Sequence, residues 1–311
     1  MDTTIQGSVT FWVALLWTFV LSNHQIMTKE TKQTEKVWFV TGASKGLGAD
    51  LVKQLLAGGY KVAATSRKKE ALIEAIGEHE NFLPLNMDVT DNNDVKKVIG
   101  AVVDKFGRMD VIVNNAGFSQ IGAVEELSAA EVQRNFDVNV FGPLHVIRHA
   151  APYLRAQRSG HIFNIASIGG FVGNYAAFGI YCSTKFAMAG YTEALAVEMA
   201  PFGVHTTLVY PGYFRTSFLE KDSAMLPANA IDAYANAREV EAQHLNEISG
   251  NQPNDPKKAA SAFIELSKQE QPPVHFFMGV DTPALVKGKI DIIEKALAAN
   301  LELTGSTAII E

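Results

Sequence analysis

The sequence predicts a doubly wound α/β fold, in which a mostly parallel sheet is covered by helices on both faces. Three observations predict it. Short apolar runs alternate with amphipathic stretches from residue 37 onward, the first run ends in a glycine-rich loop that opens a helix, and no linker interrupts the series. Parallel strands in succession need crossover helices, and right-handed crossovers place those helices on both faces of the sheet. The expected organisation is one domain over residues 37–311 behind an N-terminal extension of residues 1–36.

The elements follow in order. Val37 to Thr41 reads as the first strand, stopped by TGASKGLG, and Gly46 to Ala57 has helical periodicity. Tyr60 to Thr65 is the second strand, followed by the amphipathic SRKKEALIEAIGEH. Phe82 to Asn86 is the third, ended by MDVTDNND, whose acids suit the positive end of the next helix. The fourth, Asp110 to Val113, runs into NNAG, after which Ser128 can cap a long helix reaching about Gln157. Gly160 to Ile165 is the fifth, and a helix from about Tyr175 to Met199 returns across the sheet. Val204 to Tyr210 is the sixth, broken by Pro211-Gly212, and Val274 to Phe277 is a short last strand. Between these two, FLEKDSAMLPANAIDAYANAREVEAQH reads as a small, mobile helical lid over the substrate.

Composition excludes several classes. A chain of 311 residues that is 47% hydrophobic can bury a sizeable core. A formal charge of -6, with no clustered basic face, argues against a nucleic-acid partner. The single cysteine, Cys182, excludes an intrachain disulfide and gives no sign of an oxidising compartment. His145 and His149 have a spacing that one helix face could use for a metal, yet no further cluster completes a site. Ser167 does not sit in a GxSxG elbow, which argues against a hydrolase.

Val9 to Leu21 is an apolar run shorter than the roughly 20 residues a membrane span wants, and no positive region precedes it. Three readings stand: an extension upstream of a start at Met27, a weak anchor that Lys29, Lys32 and Lys36 would orient toward the cytosol, or a signal or buried helix. The expected location is cytoplasmic, with a cytosol-facing membrane anchor as the alternative. Membrane contact is expected only if the run inserts.

Between strand and helix, TGASKGLG is placed to receive a dinucleotide. Gly42 permits the tight turn, Gly46 and Gly48 let backbone and helix approach a pyrophosphate at a helix N-terminus, and Ser44, Lys45 and Leu47 lie in the same loop. The second strand ends in TSRKK, with no acid at Ser66 or Arg67 to hold a ribose 2'-hydroxyl. Arg67 with Lys45 can instead clamp a 2'-phosphate, so NADP(H) is expected over NAD(H).

These motifs, taken in order, resemble the classical short-chain dehydrogenase/reductase (SDR) family over essentially everything from Val37 to the C-terminal region. The resemblance implies a Rossmann fold and a nicotinamide cofactor. It places Asp88 and Val89, in MDVT, against adenine, and assigns Asn115, Ala116 and Gly117, in NNAG, to steadying the sheet beside the adenosine ribose. Tyr181 and Lys185, in YCSTK, match the family's YxxxK motif, and a separation of four puts both on one helix face. A neighbouring ammonium would lower the tyrosine's pKa and ready it for proton transfer. By the same resemblance Ser167 orients the substrate oxygen, Asn139 holds a relay water, Lys185 also holds the nicotinamide ribose, and Pro211, Gly212 and Thr216 contact the carboxamide.

The expected activity is interconversion of an alcohol and a ketone or aldehyde by hydride transfer. Phe171, Tyr175, Phe178, Phe214, Phe218 and Leu219 flank the catalytic positions and suggest a small, fairly apolar carbonyl or alcohol substrate, with plain core packing as the competing reading. A homodimer or homotetramer built through the helices that carry Asn139 and Tyr181 is implied by the family. The alternative from another class is an NADP(H)-sensing binding protein that kept the fold, against which the complete set of Asn139, Ser167, Tyr181 and Lys185 speaks. An epimerase or dehydratase of the extended Rossmann relatives shares YxxxK but usually has a GxxGxxG loop and a larger C-terminal domain.

Overall fold

The computed structural model describes residues 36–220 and 223–309. The expectations for residues 1–35, including the run at Val9 to Leu21 and the start at Met27, lie outside the described residues. Among the described residues, no helix is long and apolar enough to cross a membrane.

Strand β1 (Val37–Val40) leads into α1 (Gly46–Ala57), β2 (Lys61–Ser66), α2 (Lys69–Ile76), β3 (Phe82–Asn86), α3 (Asn92–Phe106) and β4 (Val111–Asn114). A two-residue strand, β5 (Ser119–Gln120), precedes α4 (Ala129–Phe136), a π-helical turn (Asp137–Phe141) and α5 (Gly142–Gln157). Then come β6 (Gly160–Ile165), α6 (Gly179–Met199), β7 (Val204–Pro211), β8 (Ala224–Met225), α7 (Ala235–Ala242) and a second π-helical turn (Gln243–Ile248). The chain closes with α8 (Pro256–Leu266), β9 (His275–Met278), α9 (Thr282–Ala299) and α10 (Leu301–Gly305).

Seven of the strands form one sheet in the order β3-β2-β1-β4-β6-β7-β9, and β5 pairs with β8 separately. Every neighbouring pair in the large sheet is parallel. Successive side chains of a strand point to opposite faces, and β1 shows the result: Trp38 and Val40 join a core with Leu51, Leu55 and Phe263, while Val37 and Phe39 join another with Ile99, Val146 and Leu195. The helices that cover each face are thus pinned to alternate residues of the same buried strands.

Two departures from the sequence reading affect the site. The helix expected from Ser128 to Gln157 begins as foreseen, with Ser128 and Glu131 forming a capping box, but the π turn at Asp137–Phe141 divides it. The helix expected from about Tyr175 starts only at Gly179, because Ala177 has a left-handed φ of 64° that no α-helix contains. The Ala177 carbonyl instead accepts the Gly122 N–H at 2.8 Å.

Candidate active site

The C-terminal ends of the strands open onto a cavity of about 350 Å³, lined from both β1 and β4, between which the strand order reverses. Every predicted site residue lines it except Gly48 and Asn139.

Gly42 and Gly46 have φ values of +66° and +59°, which side chains other than glycine rarely adopt. A Cβ on Gly48 would lie 2.6 Å from Asn115 Nδ2 and 2.9 Å from the Gly42 carbonyl. Gly48 therefore admits α1 to the NNAG turn. Asn115 Nδ2 in turn donates to the Thr41 and Gly42 carbonyls, both at 3.0 Å. The Thr41 hydroxyl accepts from the N–H groups of Asn115 and Ala116, also at 3.0 Å. The second motif thus holds the first.

No side chain caps the N-terminus of α1, so its first-turn N–H groups are available to an anion beside the exposed Lys45 and Arg67. Asp88 is the single carboxylate on the cavity wall among the described residues, and its Oδ1 accepts from the Thr90 backbone at 2.9 Å and the Thr90 hydroxyl at 2.7 Å. Donors, cations and close-approach glycines together fit a dinucleotide phosphate. The two histidines of α5 serve packing: His145 Nδ1 meets the Val89 carbonyl at 3.0 Å and His149 Nε2 meets Asn92 Oδ1 at 3.0 Å. Among the described residues no cluster of His, Cys, Asp and Glu could hold a metal.

Ser167 follows β6, where its Oγ accepts from Gly169 N–H at 3.0 Å and is hydrogen-bonded to the Tyr181 side chain. Lys185 Nζ donates to the Ile165 carbonyl at 2.8 Å and lies 5.8 Å from the centre of the Tyr181 ring. Asn139 is fully buried in the π turn behind this group. Its Oδ1 accepts from Phe118 N–H at 3.1 Å, and its Nδ2 donates to the Phe118 carbonyl at 2.9 Å and the Thr184 hydroxyl at 3.1 Å. The Thr184 hydroxyl donates to the Tyr181 carbonyl at 2.7 Å, which ties the π turn to α6.

Burial pushes the Tyr181 phenol well above its ordinary value, opposed by the Ser167 hydrogen bond, and burial lowers Lys185 to about 7. A dry site disfavours both charged forms.

The turn after β7 is held by residues with no forewarning in the sequence. Asp281 Oδ2 accepts from Tyr213 N–H at 2.9 Å, and Asn254 Nδ2 donates to Asp281 Oδ1 at 2.6 Å and to the Tyr213 carbonyl at 2.8 Å. Gly212 is required beside them, since a Cβ there would lie 2.2 Å from Asp281 Oδ2. Of the expected aromatic rim, Tyr175, Phe178, Phe214, Phe218 and Leu219 reach the cavity. Phe171 does not, packing against Tyr210 and Phe277 with ring centres at 6.1 and 5.3 Å. Sequence reasoning missed His244 and Gln252, which the lid and the loop after it bring to the same wall.

Comparison with known proteins agrees with this geometry. A model of the short chain dehydrogenase family matches residues 36–227. Oxidoreductase BOA17 of Botryotinia fuckeliana is 35% identical over 79% of this chain and 89% of its own. A solved short-chain dehydrogenase from Streptomyces avermitilis superposes with a TM-score of 0.81 and 35% identity, covering 88% of this chain and all of that one, 100%. The structure of ElxO with NADP bound gives a TM-score of 0.64 at 27% identity, over 78% of this chain and 96% of its own.

Proposed function

The chain belongs to the short-chain dehydrogenase family, and on that premise we propose that it is an NADP(H)-dependent oxidoreductase interconverting an alcohol and a ketone or aldehyde on a fairly apolar substrate. The observation that carries this reading is the convergence of Ser167, Tyr181 and Lys185 on one end of a cavity whose other end presents an uncapped helix N-terminus with Lys45 and Arg67. The glycine loop receives the pyrophosphate, Lys45 and Arg67 hold the 2'-phosphate, and Pro211, Gly212 and Thr216 border the carboxamide. The absence of a carboxylate at the end of β2 and the NADP held by the related ElxO support this preference.

The nicotinamide, when bound, supplies or accepts the hydride. In reduction Tyr181 donates its phenolic proton to the carbonyl oxygen, and Ser167 orients that oxygen. Tyr181 is protonated at neutral pH, and burial raises its pKa further, which suits the donor role. Lys185 holds the nicotinamide ribose and, while protonated, favours the phenolate left behind. Asn139 positions α6 through Thr184 and offers its backbone carbonyl to the relay. Exposed Phe141, Tyr153, Phe186 and Val197, on the π turn, α5 and α6, support association of two or more copies through these helices.

The test is oxidation of NADPH, with NADH in parallel, against apolar ketones and aldehydes. NADPH-preferring turnover is expected, falling about 10²- to 10⁴-fold in Tyr181→Phe. Tight NADPH binding without turnover on any substrate would instead favour a sensing protein.

A further inference from the structure

The cavity has a second polar end that hydride transfer does not use. Under the lid, Tyr213, His244, Gln252 and Tyr175 meet its wall among the apolar Phe178 and Phe218. Tyr213 Oη lies 2.9 Å from His244 Nε2, and His244 Nδ1 lies 2.8 Å from the Val240 carbonyl. A carbonyl can only accept, so Nδ1 carries the imidazole proton, Nε2 is bare, and the Tyr213 hydroxyl donates to it. Burial lowers the pKa of His244, which agrees with a neutral ring. Tyr213 has then used its one proton, and its oxygen remains only as an acceptor.

Gln252 is 2% exposed, and its Oε1 has no hydrogen-bond partner among the described residues. The Tyr175 hydroxyl is buried and unpartnered in the same way. Buried polar atoms are mostly paired, so a buried carbonyl oxygen left bare in a residue that lines the cavity points to a ligand that satisfies it. The Tyr213 oxygen, fixed as an acceptor, and the bare Gln252 Oε1, with Tyr175 able to play either part, favour a donor. An ammonium would need a carboxylate, and Asp88, the one acid on the cavity wall among the described residues, follows β3 at the opposite edge of the sheet from the lid.

We propose that Tyr213 Oη and Gln252 Oε1 form a hydroxyl-binding subsite, with His244 setting the direction of the hydrogen bond, and that the substrate is a hydroxylated apolar ketone or aldehyde, or the corresponding diol. The inference rests on the oxidoreductase reading above. A remote carbonyl or ether would place acceptor against acceptor at Tyr213 and Gln252, and the subsite disfavours it.

The experiment compares ω-hydroxy-2-alkanones of increasing length with the matched 2-alkanones and ω-methoxy-2-alkanones, by kcat/KM with NADPH and by calorimetric Kd. At the best length the hydroxyl should gain about tenfold over both comparators. That ratio should fall toward one in the near-isosteric Tyr213→Phe and several-fold in Gln252→Met. In His244→Leu, Tyr213 regains a free proton, and discrimination against the ether alone should shrink, which a merely structural role would not produce. Equal Kd and kcat/KM across the three series, or a preference that survives both Tyr213→Phe and Gln252→Met, would overturn the proposal. Hydroxyl-selective binding with no turnover in any series would overturn the reaction reading and still support the subsite.

Discussion

The two ends of the cavity are built by different means. At the cofactor end, strand ends and the glycine loop are stitched by short contacts between Thr41, Gly42, Gly48, Asn115 and Ala116, each hydrogen bond joining a backbone group to the Thr41 hydroxyl or the Asn115 amide. At the lid end a few side chains do the holding. The buried Glu126 carboxylate accepts from Ala123 N–H at 2.6 Å, Ile231 N–H at 2.8 Å and Arg238 at 2.7 Å, and Tyr234 donates to Glu125. One end is set by backbone clearance, the other by pins between segments about a hundred residues apart. The first tolerates almost no added volume, whereas the second can be released one bond at a time.

Substitutions can break this contrast, and the largest effect should come from the cofactor end. Gly48→Ala is expected to cost roughly 1–3 kcal/mol in urea unfolding and to weaken NADPH binding more than tenfold, because neither neighbour of the new Cβ can move alone. Normal stability together with normal affinity would show that the loop is softer than its contacts imply. Next, Arg67→Ala should lower the ratio of NADPH to NADH kcat/KM by about tenfold or more, since a charge-assisted contact to the 2'-phosphate is lost. An unchanged ratio would remove Arg67 from cofactor selection.

The smallest effect on cofactor binding should come from the lid pin. Glu126→Gln is expected to raise the ketone KM several-fold and to expose residues 223–250 to limited proteolysis, with NADPH affinity nearly unchanged. A parallel loss of NADPH affinity would show the two ends to be one cooperative unit. Burial opposes the Glu126 charge, but N–H donation from Ile231 and Ala123 and the Arg238 charge hold its pKa below the ordinary value. A carboxyl with a lowered folded pKa stabilises above its unfolded pKa, so the pin is whole at neutral pH and is lost as pH falls through the folded value. Proteolysis of the wild-type lid should therefore increase in acid, and less so in Glu126→Gln.

The same contrast explains what the sequence disclosed. Glycines at 42, 46 and 48 mark backbone constraints at fixed local spacing, and YCSTK places Tyr181 and Lys185 one helical turn apart, so both are visible in a short window. Asp281 and Asn254 meet Tyr213 from 68 and 41 positions away, and His244 reaches its hydroxyl across 31. Such pairings leave no periodic trace. Boundaries failed where a single residue departed from regular geometry, as at Ala177, because helical periodicity does not encode a positive φ. The lid was read as mobile from its composition. The structure gives it a short helix and a π turn pinned by Arg238 and Tyr213.

The π turn at Asp137–Phe141 makes chain length itself a functional variable. Each residue of an α-helix turns the chain by about 100°. Removing one residue here would restore a plain helix and swing α4 around its axis relative to α5. Asn135, whose Nδ2 donates to the Phe118 carbonyl at 3.1 Å, and Arg134, which lies 5.5 Å above the Phe118 ring, would leave the wall they now support. Ile147 and Leu154, farther along α5, would keep their places in the core. At this point a one-residue deletion should harm activity more than most substitutions, because the site depends on how many residues lie between two faces as well as on which residues they are.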